Sequence, residues 1–195
     1  MFARKLPVLS FQTTKQISFE QMLSQHKLSD APIIRPVQTH SDVVINIQDK
    51  TNLTPTGDAV ITNLKHVLLR IQTADCLPVL IAHPAGWIGA VHAGRVGTQR
   101  SILQQSLNQL VNQCGTNTNF HVWLGPCICV DCYEINRNPS QHFDLIEENT
   151  SQIYACLSSP QITSYDQCTS CHSDQFYSYR KHADTHRHYS CIINR

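Results

Sequence analysis

The chain has 195 residues, of which 41% are hydrophobic and 15% are charged, and its formal net charge is +1. This composition lacks the basic excess of nucleic-acid-binding proteins, and no apolar run approaches the roughly 18 to 20 residues that span a bilayer. The segment before Gln12 also lacks the apolar core of a signal peptide. We therefore expect a single domain over residues 1–195, in a cytoplasmic protein with neither a nucleic-acid nor a membrane partner.

The central part of the chain is predicted to form a sheet. Residues 37–47 alternate polar and apolar side chains, which indicates a strand or a loop that leads into one. GDAVIT (57–62) and HVLLRIQT (66–73) are short strand candidates. LPVLIAH (77–83) and WIGAVHAG (87–94) flank a Pro-Ala-Gly turn, which predicts a hairpin.

Helices are predicted mainly in the second half. Apolar residues at helical spacing predict a helix that Thr98 caps and Gly115 ends, and residues 140–157 predict a second helix. Strands are expected at FHVWLGP (120–126) and YSCII (189–193). The pattern as a whole predicts an α/β (α+β) fold with a mostly buried mixed sheet.

Three possible metal ligands stand near the ends of predicted strands: His40, Cys76 and His92. Two imidazoles and a thiolate suit zinc, and three protein ligands leave the fourth position open, as a catalytic site requires. Their separations are too long for a zinc finger, so the site would form only when the sheet forms. The residues alone leave a second interpretation open, namely a buried thiol and two hydrogen-bonded histidines.

Five segments resemble, in order, motifs of the YfiH-like family, whose members are called multicopper polyphenol oxidoreductases or laccases and are regarded as purine nucleoside phosphorylases with adenosine deaminase activity. The segments are QTHSDVV, GDAVIT, TADCLPVLI, AVHAGRVGT and LGPCICVDCYEI, followed near the C-terminus by CTSC and FYSYR. The resemblance covers residues 36 to about 190. It implies mixed β-sheets with helices outside, in the four-layer α/β/β/α arrangement shared with CNF-type deamidating toxins.

The resemblance also implies a function and a metal site. His40, Cys76 and His92 correspond to the family's zinc ligands, and the substrates would be adenosine, inosine or methylthioadenosine together with phosphate. An open zinc position lowers the pKa of bound water from about 16 toward about 7, which suits deamination of adenosine. The oligomeric state, monomer or homodimer, stays open.

Two other functions remain possible at this point. A site with one cysteine and two histidines also binds Cu²⁺, so the first is copper-dependent oxidation of polyphenols, as the laccase name states. The second is a hydrolase in which Cys76 is the nucleophile and a histidine is its base.

Besides Cys76, three residues are candidates for catalysis: Asp75, Arg95 and Cys127. Asp75 could fix an imidazole tautomer, receive a substrate proton or merely cap a turn, and Asp58 shares this ambiguity. Cys127 follows a Gly-Pro pair at the end of a predicted strand, where either a thiol near the site or an ordinary buried thiol is expected.

Arg95 lies in HAGRVGT, a candidate phosphate-binding loop ahead of the helix predicted near Thr98. The family usually has Trp then Arg after His-Ala-Gly, whereas this chain has Arg95 then Val96. The guanidinium is therefore shifted by one position. Arg180 of FYSYR is a further candidate for an anion contact, although a solvated arginine is the more common case.

The remaining cysteines suggest a second metal site of the structural type. Cys127, Cys129 and Cys132 could join Cys168, Cys171 and His172, because paired cysteines at CxxC spacing are typical of zinc sites. The family motif requires only some of these cysteines, so we favour free thiols at this point.

Overall fold

The computed structural model describes residues 6–195. The strands are β1 (Val8–Gln12), β2 (Ile33–Ile34), β3 (Val44–Asn46), β4 (Ala59–Thr62), β5 (Leu68–Thr73), β6 (Leu77–Ala82), β7 (Ile88–Ala93), β8 (His121–Leu124), β9 (Glu134–Arg137), β10 (Ser140–His142), β11 (Gln161–Ser164) and β12 (His188–Asn194). The α-helices are α1 (Phe19–Gln25), α2 (Arg95–Gln99), α3 (Ile102–Cys114), α4 (Leu145–Cys156) and α5 (Tyr179–His182). Within the described part of the chain, none of these helices has the length and apolar character needed to cross a membrane.

Two mixed sheets form the centre of the molecule. The larger has six strands in the order β11-β8-β6-β7-β4-β3, and the smaller has four in the order β1-β12-β5-β2. The predicted hairpin is confirmed, because β6 and β7 pair antiparallel from Leu77 opposite Ala93 to Ala82 opposite Ile88. The remaining strands, β9 and β10, form a separate antiparallel pair.

Side chains that alternate along each strand divide the interior into three apolar layers. On β6, Val79 and Ile81 pack with residues of α3 and α4, whereas Leu80 packs toward the smaller sheet. On β5, Leu69 and Ile71 meet the larger sheet, and Leu68 packs on the other side with residues of α1. Successive side chains of a strand point to opposite faces, so each buried strand serves two layers. The predicted four-layer α/β/β/α arrangement is therefore confirmed.

The prediction for the main helix is correct at its end and wrong at its start. Gly115 ends α3 with a left-handed φ of 67°, a conformation that glycine adopts without a steric penalty. Thr98 does not cap this helix. It lies buried inside α2, a separate one-turn helix that begins at Arg95 after the N-cap residue Gly94.

Helix α1 was not predicted, because its seven residues, FEQMLSQ, are too few to show a repeated apolar pattern. A local signal was nevertheless present: Ser18 accepts a hydrogen bond from the backbone N–H of Gln21, and the Gln21 side chain accepts one from the backbone N–H of Ser18. This reciprocal capping box starts the helix. Phe19 and Leu23 then bury its inner face against the smaller sheet.

Candidate metal centre and cavity

The three predicted ligands come together at one edge of the two sheets. His40 lies in the loop before β3, Cys76 in the turn between β5 and β6, and His92 near the end of β7. One donor atom from each lies within 4.8 Å of the other two. Cys76 Sγ is 3.9 Å from His40 Nε2, and the two imidazole rings meet edge to face with centroids 4.8 Å apart.

Asp58 organises this group from behind. Its buried carboxylate accepts a hydrogen bond of 2.7 Å from Nδ1 of His92, which leaves Nε2 free to face Cys76 and His40. The same carboxylate accepts bonds from the backbone N–H groups of His40 and Ser41 and from the Ser41 hydroxyl. One side chain thus orients one imidazole and fixes the loop that carries the other.

The charges at this site depend on one another. Burial raises the pKa of the Cys76 thiol, but hydrogen bonding with His40 and His92 outweighs burial and lowers that pKa below its usual value. Burial lowers the pKa of His92, whereas its bonds to Asp58 and Cys76 raise that pKa by more. Without a metal, the favoured pair is therefore a Cys76 thiolate beside a protonated His92. A metal ion would replace the proton on His92, because the neutral imidazole is the ligand.

The backbone beside the ligands leaves little room. A Cβ added at Gly94 would lie 3.1 Å from Cys76 Sγ and 3.2 Å from Cδ2 of His40. Both distances are shorter than ordinary van der Waals contact. The absence of a side chain at Gly94 therefore lets thiolate and imidazole converge on one point. This close approach and the borderline-soft donor set fit a zinc ion bound by His40, Cys76 and His92.

His40, Cys76 and His92 lie in the wall of a cavity of about 570 Å³. This volume lies within the range of small-molecule sites. The cavity walls include the metal-ligand candidates and, in addition, Gln38, Gln72, Thr73, Ala74, Asp75, Arg95, Val96, Tyr133, Tyr179, Arg180 and Arg187. Three guanidinium groups and two phenol rings thus face the same space as the possible metal.

Arg95 lies in the cavity wall although its position is shifted relative to the family motif. It is the first residue of α2, and its Nη1 donates a hydrogen bond of 3.3 Å to Gln99 Oε1. The prediction that the helix behind HAGRVGT begins near Thr98 was wrong, since α2 begins directly after Gly94. Arg95 therefore belongs to the helix itself and not to a loop that precedes it.

Asp75 faces the cavity edge, but both its oxygens are already engaged. Oδ1 accepts a hydrogen bond of 2.7 Å from the Thr169 hydroxyl, and Oδ2 accepts one of 2.7 Å from the backbone N–H of Arg180. The carboxylate that orients an imidazole is Asp58, so the tautomer role considered for Asp75 belongs to Asp58. Asp75 instead attaches the C-terminal segment to the turn that carries Cys76.

Cys127 does not reach the cavity. Its side chain is 5% exposed and packs in the apolar layer beneath α3 and α4. Burial there raises the pKa of its thiol far above the usual range, so the group stays protonated. The structure thus agrees with the second expectation for Cys127, an ordinary buried thiol, and places it outside the site.

Arg180 does line the cavity, and its environment is aromatic. Its guanidinium carbon lies 5.3 Å from the ring centroid of Tyr133, and its Nη1 donates a hydrogen bond of 2.6 Å to the carbonyl of Glu134. Tyr133 and Arg187 were not predicted as site residues. Tyr133 lies in the segment LGPCICVDCYEI, but its place at the site, like that of Arg187, is decided by the fold, because strands and loops distant in sequence form the cavity.

The chain matches the family described as "Multi-copper polyphenol oxidoreductase laccase" over residues 16–155 and 137–195. It is 30% identical over 192 residues to a purine nucleoside phosphorylase of Aquifex aeolicus, covering 92% of this chain and 88% of the relative. It is 27% identical over 182 residues to adenosine deaminase RL5 from an unknown prokaryotic organism, covering 76% of this chain and 70% of the relative.

Solved structures agree with the fold. YlmD from Geobacillus stearothermophilus superposes with a TM-score of 0.87 at 21% identity, covering 97% of this chain and 92% of that chain. The YfiH protein of Bacillus licheniformis superposes with a TM-score of 0.81 at 23% identity, covering 90% of this chain and 79% of that chain. The ordered motifs, the four-layer fold and the match along nearly the whole chain lead to one conclusion: this chain belongs to the YfiH family of multi-copper polyphenol oxidoreductase laccase-like proteins.

Proposed function

We propose that the chain is a zinc-dependent purine nucleoside phosphorylase that also deaminates adenosine. The observation that carries this proposal is the convergence of His40, Cys76 and His92 in the wall of a cavity that three arginines also line. The relatives named purine nucleoside phosphorylase and adenosine deaminase support the same pair of activities.

His40, Cys76 and His92 would hold the zinc ion, with Asp58 orienting His92 and shaping the loop of His40. Bound there, zinc would supply Lewis-acid catalysis. Three protein ligands leave room for a substrate or water, which is the arrangement of catalytic rather than structural zinc sites. The protein's part is to hold the three donors in place in the cavity wall.

The phosphate would bind among the cavity arginines. Arg95, Arg180 and Arg187 place positive charge on a chain whose net charge is only +1. Guanidinium groups bind phosphate through paired charge-assisted hydrogen bonds. In phosphorolysis a phosphate oxygen bonds to C1′ of the ribose while the bond from C1′ to the purine breaks. The products are ribose 1-phosphate and the free base, which takes up a proton.

The purine would lie against Tyr133 and Tyr179, whose flat side chains line the cavity. In deamination, water replaces the amino group at C6 of adenosine, which yields inosine and ammonia. Asp75 supports the site by position, because its bonds hold Thr169 and Arg180 against the turn of Cys76.

The test is product analysis with zinc-loaded protein and adenosine, with and without phosphate. We expect adenine only when phosphate is present and inosine in both reactions. Cys76→Ala should abolish both products, while Cys114→Ser, a thiol change outside the cavity, should leave them unchanged. Absence of all products from the zinc-loaded protein, or undiminished products from Cys76→Ala, would refute the proposal.

One observation favours a second candidate, a hydrolase that uses Cys76 as a nucleophile. Its Sγ lies 3.9 Å from Nε2 of His40, and hydrogen bonding lowers the pKa of this thiol. A chelator separates the two functions, because it should abolish zinc-dependent activity and free the thiolate for alkylation. Because the family is also named for laccases, the copper-loaded protein should be tested for oxidation of a phenol as a third reaction.

A further inference from the structure

A second group of possible metal ligands lies outside the cavity. Cys129, Cys132, Cys168 and Cys171, here called the four-cysteine cluster, offer sulfur atoms that all lie within 4.8 Å of one another. The sequence suggested a wider set, but Cys127 is buried in the apolar layer and His172 is not part of the group. Four thiols from two CxxC segments thus meet at one place.

The distances in the cluster suit a metal ion. Four thiolates around zinc at Zn–S distances of about 2.3 Å form a tetrahedron whose sulfurs are about 3.8 Å apart. The Sγ atoms of Cys132 and Cys171 are 3.6 Å apart. A disulfide brings two sulfurs to about 2.05 Å and needs no further thiols, so it does not account for four that converge.

Backbone groups around the cluster favour a thiolate at Cys168. The N–H of Cys129 and the N–H of Cys171 both point to Sγ of Cys168, at 3.3 and 3.4 Å. Donors aimed at a sulfur stabilise its deprotonated form, which is the form that binds metals. Each CxxC segment thus supplies two sulfurs, and each also donates a backbone N–H to the same sulfur.

We propose that the four-cysteine cluster binds one zinc ion as a closed structural site, separate from the centre formed by His40, Cys76 and His92. Four protein sulfurs complete the coordination of zinc and leave no position for a substrate. The site needs no oxidant, because each thiol only gives up its proton when the metal binds.

The cluster is placed to stabilise one wall of the cavity. It joins the segment between β8 and β9 to the segment before α5, two parts of the chain that also meet through the bridge between Cys127 and Cys168. Tyr133 follows Cys132 directly, and Thr169 follows Cys168 and bonds to Asp75. A zinc ion there would hold both segments in register and so keep Tyr133 facing Arg180.

The first test is metal analysis of the full chain purified from zinc-supplemented cultures. We expect about two zinc ions per chain in the unchanged protein and about one in Cys132→Ser and in Cys171→Ser. Cys156→Ser, a matched change outside the cluster, should retain about two. Zinc contents in both cluster variants equal to that of the unchanged protein would overturn the proposal, as would a disulfide within the cluster found by peptide mass spectrometry.

The second test remains decisive if the cluster variants do not fold. His40→Ala removes a ligand of the other centre and leaves all four cluster cysteines unchanged. Loaded with Co²⁺, this variant should show the intense charge-transfer absorption of four thiolates on one metal. A spectrum with the intensity of a single thiolate, or no bound cobalt, would contradict the assignment.

Discussion

In the described part of the chain, possible metal ligands converge at two places, which differ in the number of ligands and in access. The cavity centre has three donors, His40, Cys76 and His92, and opens into a space of about 570 Å³. The four-cysteine cluster has four donors, and none of them is among the residues that line that cavity. An incomplete ligand set beside a cavity suits catalysis, whereas a complete set suits a cross-link between segments.

The two places also differ in what orients the ligands. At the cavity centre a buried carboxylate, Asp58, holds one imidazole and the loop of the other. At the cluster, backbone N–H groups point to a sulfur. A charged orienting group tunes both the tautomer and the basicity of a ligand, whereas backbone donors mainly fix its place. Substitutions that affect one place and not the other can therefore test the comparison.

The largest expected effect is the loss of activity on Cys76→Ala. Removing the only thiolate of the cavity centre should abolish phosphorolysis and deamination and lower the zinc content by about one ion per chain. The cobalt spectrum of the cluster should persist in this variant. Loss of both metals would mean that the two places are not independent.

The next effect concerns stability, which should fall more in the cluster variant Cys132→Ser than in the cavity variant Cys76→Ala. Loss of a structural zinc should cost several kcal/mol of unfolding free energy in Cys132→Ser, which lowers the melting temperature by about 10 °C at roughly 2 to 4 °C per kcal/mol. Cys76→Ala should lower it less, because the cavity centre leaves one position open. Calorimetry measures both melting temperatures, and the zinc content of each variant is determined alongside. A lower melting temperature for Cys76→Ala than for Cys132→Ser would contradict the structural role of the cluster.

Asp58→Asn should weaken zinc binding at the cavity centre by about 10- to 100-fold. The amide cannot supply the charge that orients His92, and it disturbs the bonds to His40 and Ser41. Competition with a chelator measures the affinity. Asp42→Asn, a partly exposed carboxylate near Arg100, is the matched control and should leave the affinity unchanged.

Arg95→Gln should separate the two reactions. Loss of one charge-assisted contact to phosphate should raise the KM for phosphate by about tenfold, equivalent to about 1.4 kcal/mol. Deamination, which uses no phosphate, should change little. Arg100→Gln, at an exposed position that follows α2, serves as the control. If Arg95→Gln lowers both reactions equally, Arg95 does not bind phosphate.

The smallest effect is expected for Gly94→Ala. The φ of Gly94 is −75°, so alanine introduces no backbone strain, and the change tests only the space beside Cys76 and His40. We expect zinc affinity at the cavity centre to fall several-fold while the cluster keeps its metal. Gly89→Ala, in the strand β7 that leads to Gly94, would meet only ordinary contacts from 3.4 Å and is the control.

Local patterns were enough to predict several elements. The Pro-Ala-Gly turn between two apolar runs predicted the β6–β7 hairpin, and the spacing of Leu103, Leu107 and Leu110 together with Gly115 predicted α3. Patterns failed where an element is too short to repeat its apolar spacing, as in the seven residues of α1. They also failed for β1, whose partner β12 lies at the other end of the chain.

The sequence by itself determined which residue types were available and which segments carried them: His40, Cys76 and His92 in ordered motifs, and two CxxC pairs near the cavity wall. Only the tertiary structure decided that Asp58 rather than Asp75 orients an imidazole, that Cys127 is buried, and that four cysteines meet without His172. The reason is physical. A side chain's role depends on what lies within about 3 to 4 Å of it, and here those neighbours come from strands and loops distant in sequence.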